Sequence, residues 1–468
     1  MNTPLTISEL QQDLQEKKYT VVALLDRYLE KIDEKNEELN AFITVSRENA
    51  YHKAKEADRI ILDNPKAFDE FPLLGVVIAL KDLYLTKGIR TTAASKLLSD
   101  YVPAYSATVV ERLEKAGAII IGKTNCDAWA HGASGENSDF GVSRNPWNTE
   151  YVPGGSSSGS AVAVSAGMSL ASMGTDTGGS IRQPASFTNL VGFKPTYGSV
   201  PRYGVIAMAS SLDTMGHFTH TVEDSAKIFA VTNGKDQKDA TVVEKPQEIH
   251  HEKPFRIGVP KEYFAEGLDP EVSQKVHEVI AFYKQQGCEI VDISLPHTKY
   301  AISVYYIVQP AEVSSNLGRY DGVRFGAKRN TFGAEAKRRI MLGTYVLASG
   351  YYDAYYNKAM KVRTKICDDF KNAFNEVDAI LSPVSPTPAF KLGQKASDPL
   401  AMYLADIYTV AANLAGLPGL AIPAGFSSEG LPIGFQLLAD HHKEDLLFKL
   451  GILYQNETDW HKKLPGTS

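Results

Sequence analysis

Residues 154–182 read GGSSSGSAVAVSAGMSLASMGTDTGGSIR, and the rest of this 468-residue chain is organised around them. Two clusters of small polar residues, Gly154–Ser160 and Asp176–Ser180, enclose a run of small, mostly apolar residues. Glycine permits tight turns and lets a backbone come close to a ligand. Successive N–H groups in such a turn, followed by the start of a helix, form a cradle for negative charge. The stretch therefore predicts a ligand-binding loop.

Ser180 closes the second cluster, where the N–H groups beside it are placed to stabilise an oxyanion. A serine hydroxyl needs a base before it can act as a nucleophile. Lys81 is the candidate base, because it follows Leu73–Leu80, a continuous apolar run that predicts a strand buried on both faces. Burial lowers the pKa of a lysine and favours its neutral form. A lysine in this position, taken alone, is better explained as a member of an ion pair.

Three segments together resemble the motifs of the amidase signature family: ALKD with Lys81, GGSSSG with Ser156, and DTGGSIR with Ser180. The separation of 24 residues between the two serines is also that of the family. The resemblance implies a Ser–cisSer–Lys triad of Ser180, Ser156 and Lys81, with a cis peptide bond at Gly155–Ser156. We expect Asp176 to brace the loop without transferring protons. The expected oxyanion hole consists of the backbone N–H groups of Thr177, Gly178, Gly179 and Ser180.

The resemblance to this family extends over nearly the whole chain. Further matching segments are SRNPWN (Ser143–Asn148), GFKPTYG (Gly192–Gly198) and SSLDTMG (Ser210–Gly216). The second half is similar to one branch of the family, the glutaminase subunits of tRNA-dependent amidotransferases. The segments that carry this similarity are SSNLGRYDGVRFG (Ser314–Gly326), Lys337–Thr364 and ANLAGLPG (Ala412–Gly419).

This branch implies glutamine as the substrate. Free glutamine carries an ammonium and a carboxylate, so its pocket needs an acidic group and a base such as the planar fork of arginine. The resemblance implies that Tyr305, Arg339 and Asp406 bind it, with Tyr306 and Arg338 as competing candidates. A purely structural role for each of these residues stays open.

The branch also implies a set of partners, the B and C subunits of a heterotrimeric amidotransferase. The ammonia released from glutamine would pass to the B subunit, which activates Glu-tRNA(Gln), and possibly Asp-tRNA(Asn), with ATP and magnesium. The small C subunit would hold the heterotrimer together. We therefore expect no cofactor on this chain itself, and tRNA contacts mainly through the B subunit.

The chain departs from the family pattern in several places, one of them near the expected glutamine site. The family usually has MDEFAMGSSTENS where this chain has CDAWAHGASGENS, Cys126–Ser138. Because this segment lies near the expected glutamine site, the departure bears on amide preference. We expect Asn137 and the turn Gly132–Ser134 to line the pocket.

Composition limits the remaining classes of function. The net charge of −6 argues against a general nucleic-acid-binding protein. Three widely separated cysteines form neither a metal pattern nor a disulfide framework, and the histidines show no metal-binding spacing. His217, His220, His250 and His251 are interpreted as surface or structural residues. Without a signal peptide or a long apolar run, the sequence predicts a soluble cytoplasmic protein without a metal site.

The order of strands and helices predicts an α/β fold of one domain over residues 1–468, with a large mixed, mostly parallel sheet covered by helices on both faces. We expect a helical cover over residues 1–65 and a helical excursion over 300–375 that contributes to the substrate pocket. Residues Met402–Ala415 predict one helix, and residues 237–253 a surface loop. Leu420–Pro423 and Ile433–Leu438 predict an antiparallel pair.

Two segments fit the motifs of other enzyme classes. Gly117–Thr124 fits the pattern of a P-loop, but a helix precedes it and the intervening residues favour a strand, which argues against phosphate binding. Gly155–Gly159 fits the nucleophile elbow of Ser-His-Asp hydrolases, although no strand leads into it. The alternatives to the glutaminase are a stand-alone amidase for small or aryl amides and an inactive scaffold.

Overall fold

The computed structural model describes residues 3–243, 254–265, 267–324, 326–396 and 398–466. The strands of the described residues form one sheet. In chain order they are β1 (Phe42–Val45), β2 (Val77–Lys81), β3 (Ile119–Thr124), β4 (Ala171–Asp176), β5 (Val191–Lys194), β6 (Thr214–Thr219), β7 (Arg256–Pro260), β8 (Glu289–Ile293), β9 (Ala379–Pro383), β10 (Gly419–Phe426) and β11 (Pro432–Ala439).

The sheet has the strand order β1-β3-β2-β4-β6-β5-β10-β11-β9-β7-β8. The prediction of a mixed α/β sheet is confirmed, and so is the antiparallel pairing of β10 with β11. The expectation that parallel pairs predominate is wrong. Among the described strands, β3–β2–β4 and β9–β7–β8 are parallel, whereas every pair from β4 across to β9 and the β1–β3 pair are antiparallel.

The connections between strands explain why parallel pairs do not predominate. The strand–helix–strand order around β2 and β3 does give a parallel pair, because a helical crossover returns the chain in the same direction. Strands β10 and β11 are joined by only a short turn, and such a connection forces antiparallel pairing. The crossover pattern of the first half therefore does not extend to the centre of the sheet.

Helices account for most of the remaining chain. The α-helices of the described residues are α1 (Ile7–Gln15), α2 (Val21–Leu39), α3 (Arg47–Asp63), α4 (Ala67–Glu70), α5 (Thr108–Lys115), α6 (Ser158–Ser165), α7 (Arg182–Phe187), α8 (Val222–Thr232), α9 (Pro270–Gln285), α10 (Ala301–Asn316), α11 (Ala334–Leu347), α12 (Lys358–Ala373), α13 (Pro399–Tyr403), α14 (Val410–Ala415) and α15 (Glu444–Asn456). No helix among them combines the length and apolar character needed to cross a bilayer.

The first two N-terminal helices begin at capping residues. Thr6 and Glu9 form a reciprocal capping box at α1, and the Thr20 side chain accepts a hydrogen bond from the Ala23 N–H at α2. The apolar face of α2, which includes Leu24, is buried in the main core. These helices bury apolar stripes against the body of the protein, as their spacing predicts.

Helices cover both faces of the sheet, which β10 shows directly. Leu420 and Ile422 lie against Gly451 of α15, whereas Ala421, between them, packs in a separate cluster with Ala185 of α7. Successive side chains of a strand point to opposite faces, so α15 and α7 lie on opposite sides of the sheet. The predicted covering of both faces of the sheet by helices is confirmed.

The predicted helix Met402–Ala415 is interrupted. Helix α13 ends at Tyr403, a 3₁₀ turn covers Leu404–Asp406, and α14 begins at Val410. The reason lies in the carbonyl groups between the helices: Gln436 donates to the oxygen of Tyr408, and Arg182 donates to that of Thr409. Carbonyls bound by side chains of the sheet and of α7 do not continue the helical ladder.

Residues 300–375 contain α10, α11 and α12. Gly343 lets α11 lie against α10, because a Cβ there would overlap the carbonyl group of Pro310. The described part of the predicted loop 237–253 ends at Val243, so the rest of that loop and His250 and His251 lie outside the described residues.

Candidate active site

Lys81 ends β2 and is fully buried. Its Nζ lies 2.8 Å from Ser156 Oγ, 2.9 Å from Ser157 Oγ and 2.8 Å from Thr175 Oγ1. It forms no ion pair with any carboxylate of the described residues. Desolvation lowers the pKa of Lys81 to about 8, against the opposing electrostatic effects of Cys126, Asp127 and Asp176. The amine is thus held by hydroxyls, with no counter-ion in the described part of the chain.

Two of the three hydroxyls around Lys81 were not predicted. Ser157 also donates to the Thr175 carbonyl at 3.1 Å, so these two residues are tied to one another. Ser157 immediately precedes α6, and Thr175 lies in β4. The sequence offers a signal for Ser157, which adjoins Ser156, but none for Thr175, which only strand pairing brings to Lys81.

Ser156 and Ser180 lie in neighbouring turns. The Gly155–Ser156 peptide bond is cis, as the family resemblance implies. The Ser157 N–H donates to the Ser180 carbonyl at 3.2 Å, which holds the two turns together. The Ser180 side chain makes no hydrogen bond to a described residue, and the residue retains 8% of its surface exposed. Its hydroxyl is therefore available to a ligand.

Asp176 braces the loop that carries Ser180. It forms a fully buried ion pair with Arg182 at 3.1 Å and accepts hydrogen bonds from the N–H of Gly179 and the side chain of Asn413. Burial would raise the pKa of Asp176, but the charge of Arg182 and its hydrogen bonds outweigh this and lower the pKa to about 2. An ionised, fully paired carboxylate fits the predicted structural role.

The predicted oxyanion hole has fewer free backbone N–H donors than expected. The Gly179 N–H is already used, because it donates to Asp176 Oδ1 at 2.9 Å. The backbone N–H groups of Thr177, Gly178 and Ser180 donate to no described residue. Gly179 has φ +137°, and a Cβ there would overlap the side chain of Thr409. Glycine at this position lets the loop lie against Thr409, and three of the four predicted donors stay available to a ligand.

Tyr305 and Asp406 contact this loop from outside. A Cβ on Gly178 would lie 2.9 Å from the Tyr305 hydroxyl, and one on Gly179 would lie 3.3 Å from Asp406 Oδ1. Asp406 Oδ1 is buried without a hydrogen-bond partner among the described residues. Burial, and next the charge of Asp176, raise the pKa of Asp406 well above its ordinary value. A cationic group of a ligand would therefore be a favourable neighbour for Asp406.

Arg339 is turned inward, whereas Arg338 is half exposed. Arg339 donates to Glu335 at 2.7 Å and to Gln309 at 2.6 Å, and its guanidinium lies 4.8 Å from the centre of the Tyr306 ring. These contacts fix the plane of the guanidinium. Of the two competing arginines, Arg339 is the one with a buried, oriented side chain.

A cavity of about 240 Å³ lies beside Arg339 and Tyr306. Asn137 and the turn Gly132–Ser134, which the sequence predicts at the glutamine pocket, line this cavity. Its wall is completed by Asp127, His131, Glu136, Tyr306, Ala334, Glu335, Arg338, Arg339, Lys395, Ala396, Met402 and Tyr403. Tyr305 and Asp406 are not part of that wall; they lie on the side of the Ser180 loop.

Two of the histidines interpreted as surface or structural residues are internal. His217 and His220 are both buried, and His217 shares a hydrogen bond of 2.8 Å with Ser225. Desolvation lowers the pKa of His217 to about 3, so this ring is a neutral structural group. Within the described ranges, no three His, Cys, Asp or Glu side chains are grouped so that they could hold a metal ion.

Fold and site together define a class of protein. A family model described as Amidase matches residues 23–448. The chain belongs to the amidase family and is an amidase-type enzyme.

Proteins similar to this chain have names that are more specific than that of the family. The chain is 50% identical to the A subunit of the glutamyl-tRNA(Gln) amidotransferase of Geotalea daltonii, with 98% of each chain covered. It is 51% identical to the protein of the same name from Geobacter metallireducens, with 99% of each covered.

Solved structures agree with this relationship. The crystal structure of the A subunit of the glutamyl-tRNA(Gln) amidotransferase from Thermotoga maritima matches with a TM-score of 0.83 and 39% identity, covering 100% of this chain and 98% of that one. A 6-aminohexanoate cyclic dimer hydrolase matches with a TM-score of 0.88 at 22% identity, covering 100% and 99%, and this likeness shows the shared fold alone.

Proposed function

We propose that this chain is the glutaminase subunit of a tRNA-dependent amidotransferase, and that it hydrolyses glutamine through Lys81, Ser156 and Ser180. The observation that carries the proposal is the environment of Lys81: a buried amine within 2.8 Å of Ser156 Oγ and without a carboxylate partner among the described residues. A buried lysine without a counter-ion favours the neutral state that a general base needs.

In the first half of the reaction, neutral Lys81 accepts the proton of Ser156, which accepts the proton of Ser180. Ser180 Oγ attacks the carboxamide carbon, and the carbonyl oxygen becomes an oxyanion. The N–H groups of Thr177, Gly178 and Ser180 stabilise that charge, a contribution of about 3–4 kcal/mol per donor in other enzymes. The proton returns through Ser156 to the leaving nitrogen, and ammonia departs from a glutamyl ester of Ser180.

In the second half, water attacks the ester. The same relay accepts a proton from water, the ester carbon–oxygen bond breaks, and Ser180 regains its proton as glutamate leaves. Ser156 and Ser180 share no hydrogen bond in the described structure, which is common for catalytic groups before substrate is bound.

The charged groups beside the Ser180 loop and in the neighbouring cavity support an amino-acid amide as the substrate. Asp406 Oδ1 is buried without a partner among the described residues, and a substrate ammonium beside it would lower its pKa towards the ordinary value. Arg339 is oriented by Glu335 and Gln309 and offers a guanidinium for the carboxylate. Tyr305, against Gly178, would close the pocket near the reacting carbon.

The names of the relatives support the assignment to a larger enzyme. In this proposal the B subunit receives the ammonia and binds the acylated tRNA, ATP and magnesium, while the C subunit completes a cytoplasmic heterotrimer. Glu-tRNA(Gln) is the expected acceptor, with Asp-tRNA(Asn) as a second candidate. This chain would carry no cofactor of its own.

The test is amidation by the complex of this chain with candidate B and C subunits. The wild-type complex should convert Glu-tRNA(Gln) with glutamine or with an ammonium salt as nitrogen donor. With Ser180→Ala, turnover of glutamine should fall by at least about 10³-fold, because the nucleophile is absent. Amidation with ammonium salt should be retained, since it bypasses the glutaminase reaction.

The runner-up is a stand-alone amidase, which the family membership alone also supports. It predicts that the isolated chain hydrolyses simple or aryl amides efficiently and ignores glutamine. Glutamine turnover by the Ser180→Ala complex, with the fold intact, would reject the proposed nucleophile.

A further inference from the structure

His131 is a buried side chain whose ring nitrogens have no partner in the described part of the chain. Only 1% of its surface is exposed, and neither Nδ1 nor Nε2 has a hydrogen-bond partner among the described residues. Buried polar groups are nearly always satisfied, because leaving one unpaired forfeits its hydrogen bonds to water. A polar group of a ligand bound in the cavity would satisfy these nitrogens, because His131 lines that cavity.

His131 and Arg339 both line the 240 Å³ cavity. Burial, and then the charge of Arg339, lower the pKa of His131 well below its ordinary value, so the imidazole is neutral. A neutral imidazole offers one N–H donor and one acceptor nitrogen. A negatively charged group of a ligand is favoured close to the guanidinium of Arg339. Such a group accepts hydrogen bonds, and the imidazole N–H of His131 can donate one.

Arg339 alone leaves room for a second donor. Its Nε donates to Glu335 and its Nη1 to Gln309, whereas Nη2 donates to no described residue. The rings of Tyr306 and Tyr403 lie over the guanidinium at 4.8 and 5.3 Å and hold it in place. The N–H groups that no described residue uses are those of Nη2 and one of Nη1. A carboxylate has about four acceptor sites, so one bound by these groups can still accept a bond from a further donor.

We propose that His131 is a specificity-determining residue that donates a hydrogen bond to the α-carboxylate of the amide substrate, together with Arg339. The proposal rests on the glutaminase function, and it assigns the carboxylate end of glutamine to the side of the cavity formed by Cys126–Ser138. The segment in which this chain departs from its family pattern then contributes to substrate choice.

The test compares two amides that each carry one end of glutamine. Glutaramic acid keeps the carboxylate and lacks the ammonium, whereas 4-aminobutanamide keeps the ammonium and lacks the carboxylate. His131→Met, in the full chain with its partner subunits, should raise KM for glutamine and glutaramic acid roughly 10- to 100-fold, as expected for loss of a hydrogen bond to a charged group. Values of kcat, and all constants for 4-aminobutanamide, should stay within about 3-fold of wild type.

His131→Gln is the matched variant, since it retains an N–H donor. It should restore most of the affinity for glutaramic acid. The same affinities, measured by calorimetry with glutaramic acid and 4-aminobutanamide in a Ser180→Ala background, require no turnover. Equal losses for both amides in His131→Met, or unchanged binding of glutaramic acid, would overturn the proposal.

The outcome for His131 is separable from that of the proposed function. An enzyme that ignores glutamine but binds glutaramic acid more weakly after His131→Met would reject the glutaminase and retain the carboxylate site. If the enzyme hydrolyses glutamine, but His131→Met leaves the discrimination between the two amides unchanged, the glutaminase function is retained and the carboxylate site at His131 is rejected.

Discussion

Lys81 and Lys123 are two fully buried lysines on adjacent parallel strands, β2 and β3. In the register of these strands Lys123 pairs with Leu80, so the two lysines point to opposite faces of the sheet. Lys123 has a carboxylate partner, Asp82, at 3.2 Å, and donates to the Tyr84 carbonyl and the Thr91 hydroxyl at 2.7 Å. Lys81 has three hydroxyls and no carboxylate among the described residues.

The difference separates a structural ammonium from a candidate base. Desolvation lowers the pKa of both lysines, but at Lys123 the charge of Asp82 directly opposes it. An ammonium with a buried carboxylate and two further acceptors stays protonated and holds its surroundings. An amine surrounded by hydroxyls can exist in either state, and one of those hydroxyls, Ser156, lies in the turn next to that of Ser180, the proposed nucleophile. Burial alone thus does not distinguish the two roles; the counter-ion does.

Replacing Lys81 should have the largest effect on turnover. Lys81→Met keeps the length of the side chain and removes the base, so kcat for glutamine should fall by about 10³-fold or more, as for other catalytic units of this kind. The midpoint of thermal unfolding should change far less than in Lys123→Met. Substantial glutaminase activity in purified, folded Lys81→Met would show that the amine is not the base.

Ser156→Ala should have the next largest effect. It leaves Lys81 with Ser157 and Thr175 but removes the hydroxyl that, in the proposed mechanism, passes the proton of Ser180 to the amine. We expect a fall in kcat of roughly 10²- to 10³-fold, within the range of a lost proton-transfer group. The matched control is Ser157→Ala, which removes an equal contact to Lys81 at 2.9 Å and should cost much less turnover. Equal losses in both variants would contradict the relay.

Lys123→Met should change turnover per folded molecule least. It leaves the Asp82 carboxylate buried without its cation, which typically costs about 3–5 kcal/mol of stability. Chemical denaturation should therefore show a large loss in the free energy of unfolding, while the soluble fraction retains most of its kcat. If Lys123→Met instead abolished kcat and left stability intact, the roles of the two lysines would have to be exchanged.

Sequence patterns select the residues of the candidate site, but they do not predict the geometry of this pair of lysines. Lys81, Ser156 and Ser180 were predictable because each belongs to a local motif, and the structure brings Lys81 and Ser156 into contact. The strand predicted for the residues between Gly117 and Gly122 also argued against a P-loop at Lys123, and β3 covers Ile119–Thr124. The ion pair with Asp82 follows only from strand register, which no local pattern contains.

What the sequence missed depends on contacts between distant segments. The Asp176 carboxylate takes the Gly179 N–H from the expected oxyanion hole, and the partners of Arg182 interrupt the helix predicted over Met402–Ala415. The strand–helix–strand pattern in the first half of the sequence predicts parallel pairs, and it does not indicate that the strands at the centre of the sheet pair antiparallel. The ring nitrogens of His131 have no hydrogen-bond partner among the described residues. The sequence could not predict this, because it depends on which residues surround the ring in the fold.

The most direct test of the central claim is the pH dependence of kcat/KM for glutamine. If neutral Lys81 is the base, with its pKa lowered to about 8, activity requires the deprotonated form. Then kcat/KM should fall about tenfold per pH unit below 8 and reach a plateau above it, with roughly a tenth of the enzyme active at about pH 7. A profile that stays flat between about pH 6 and 8, or rises only above about pH 10, would contradict the account.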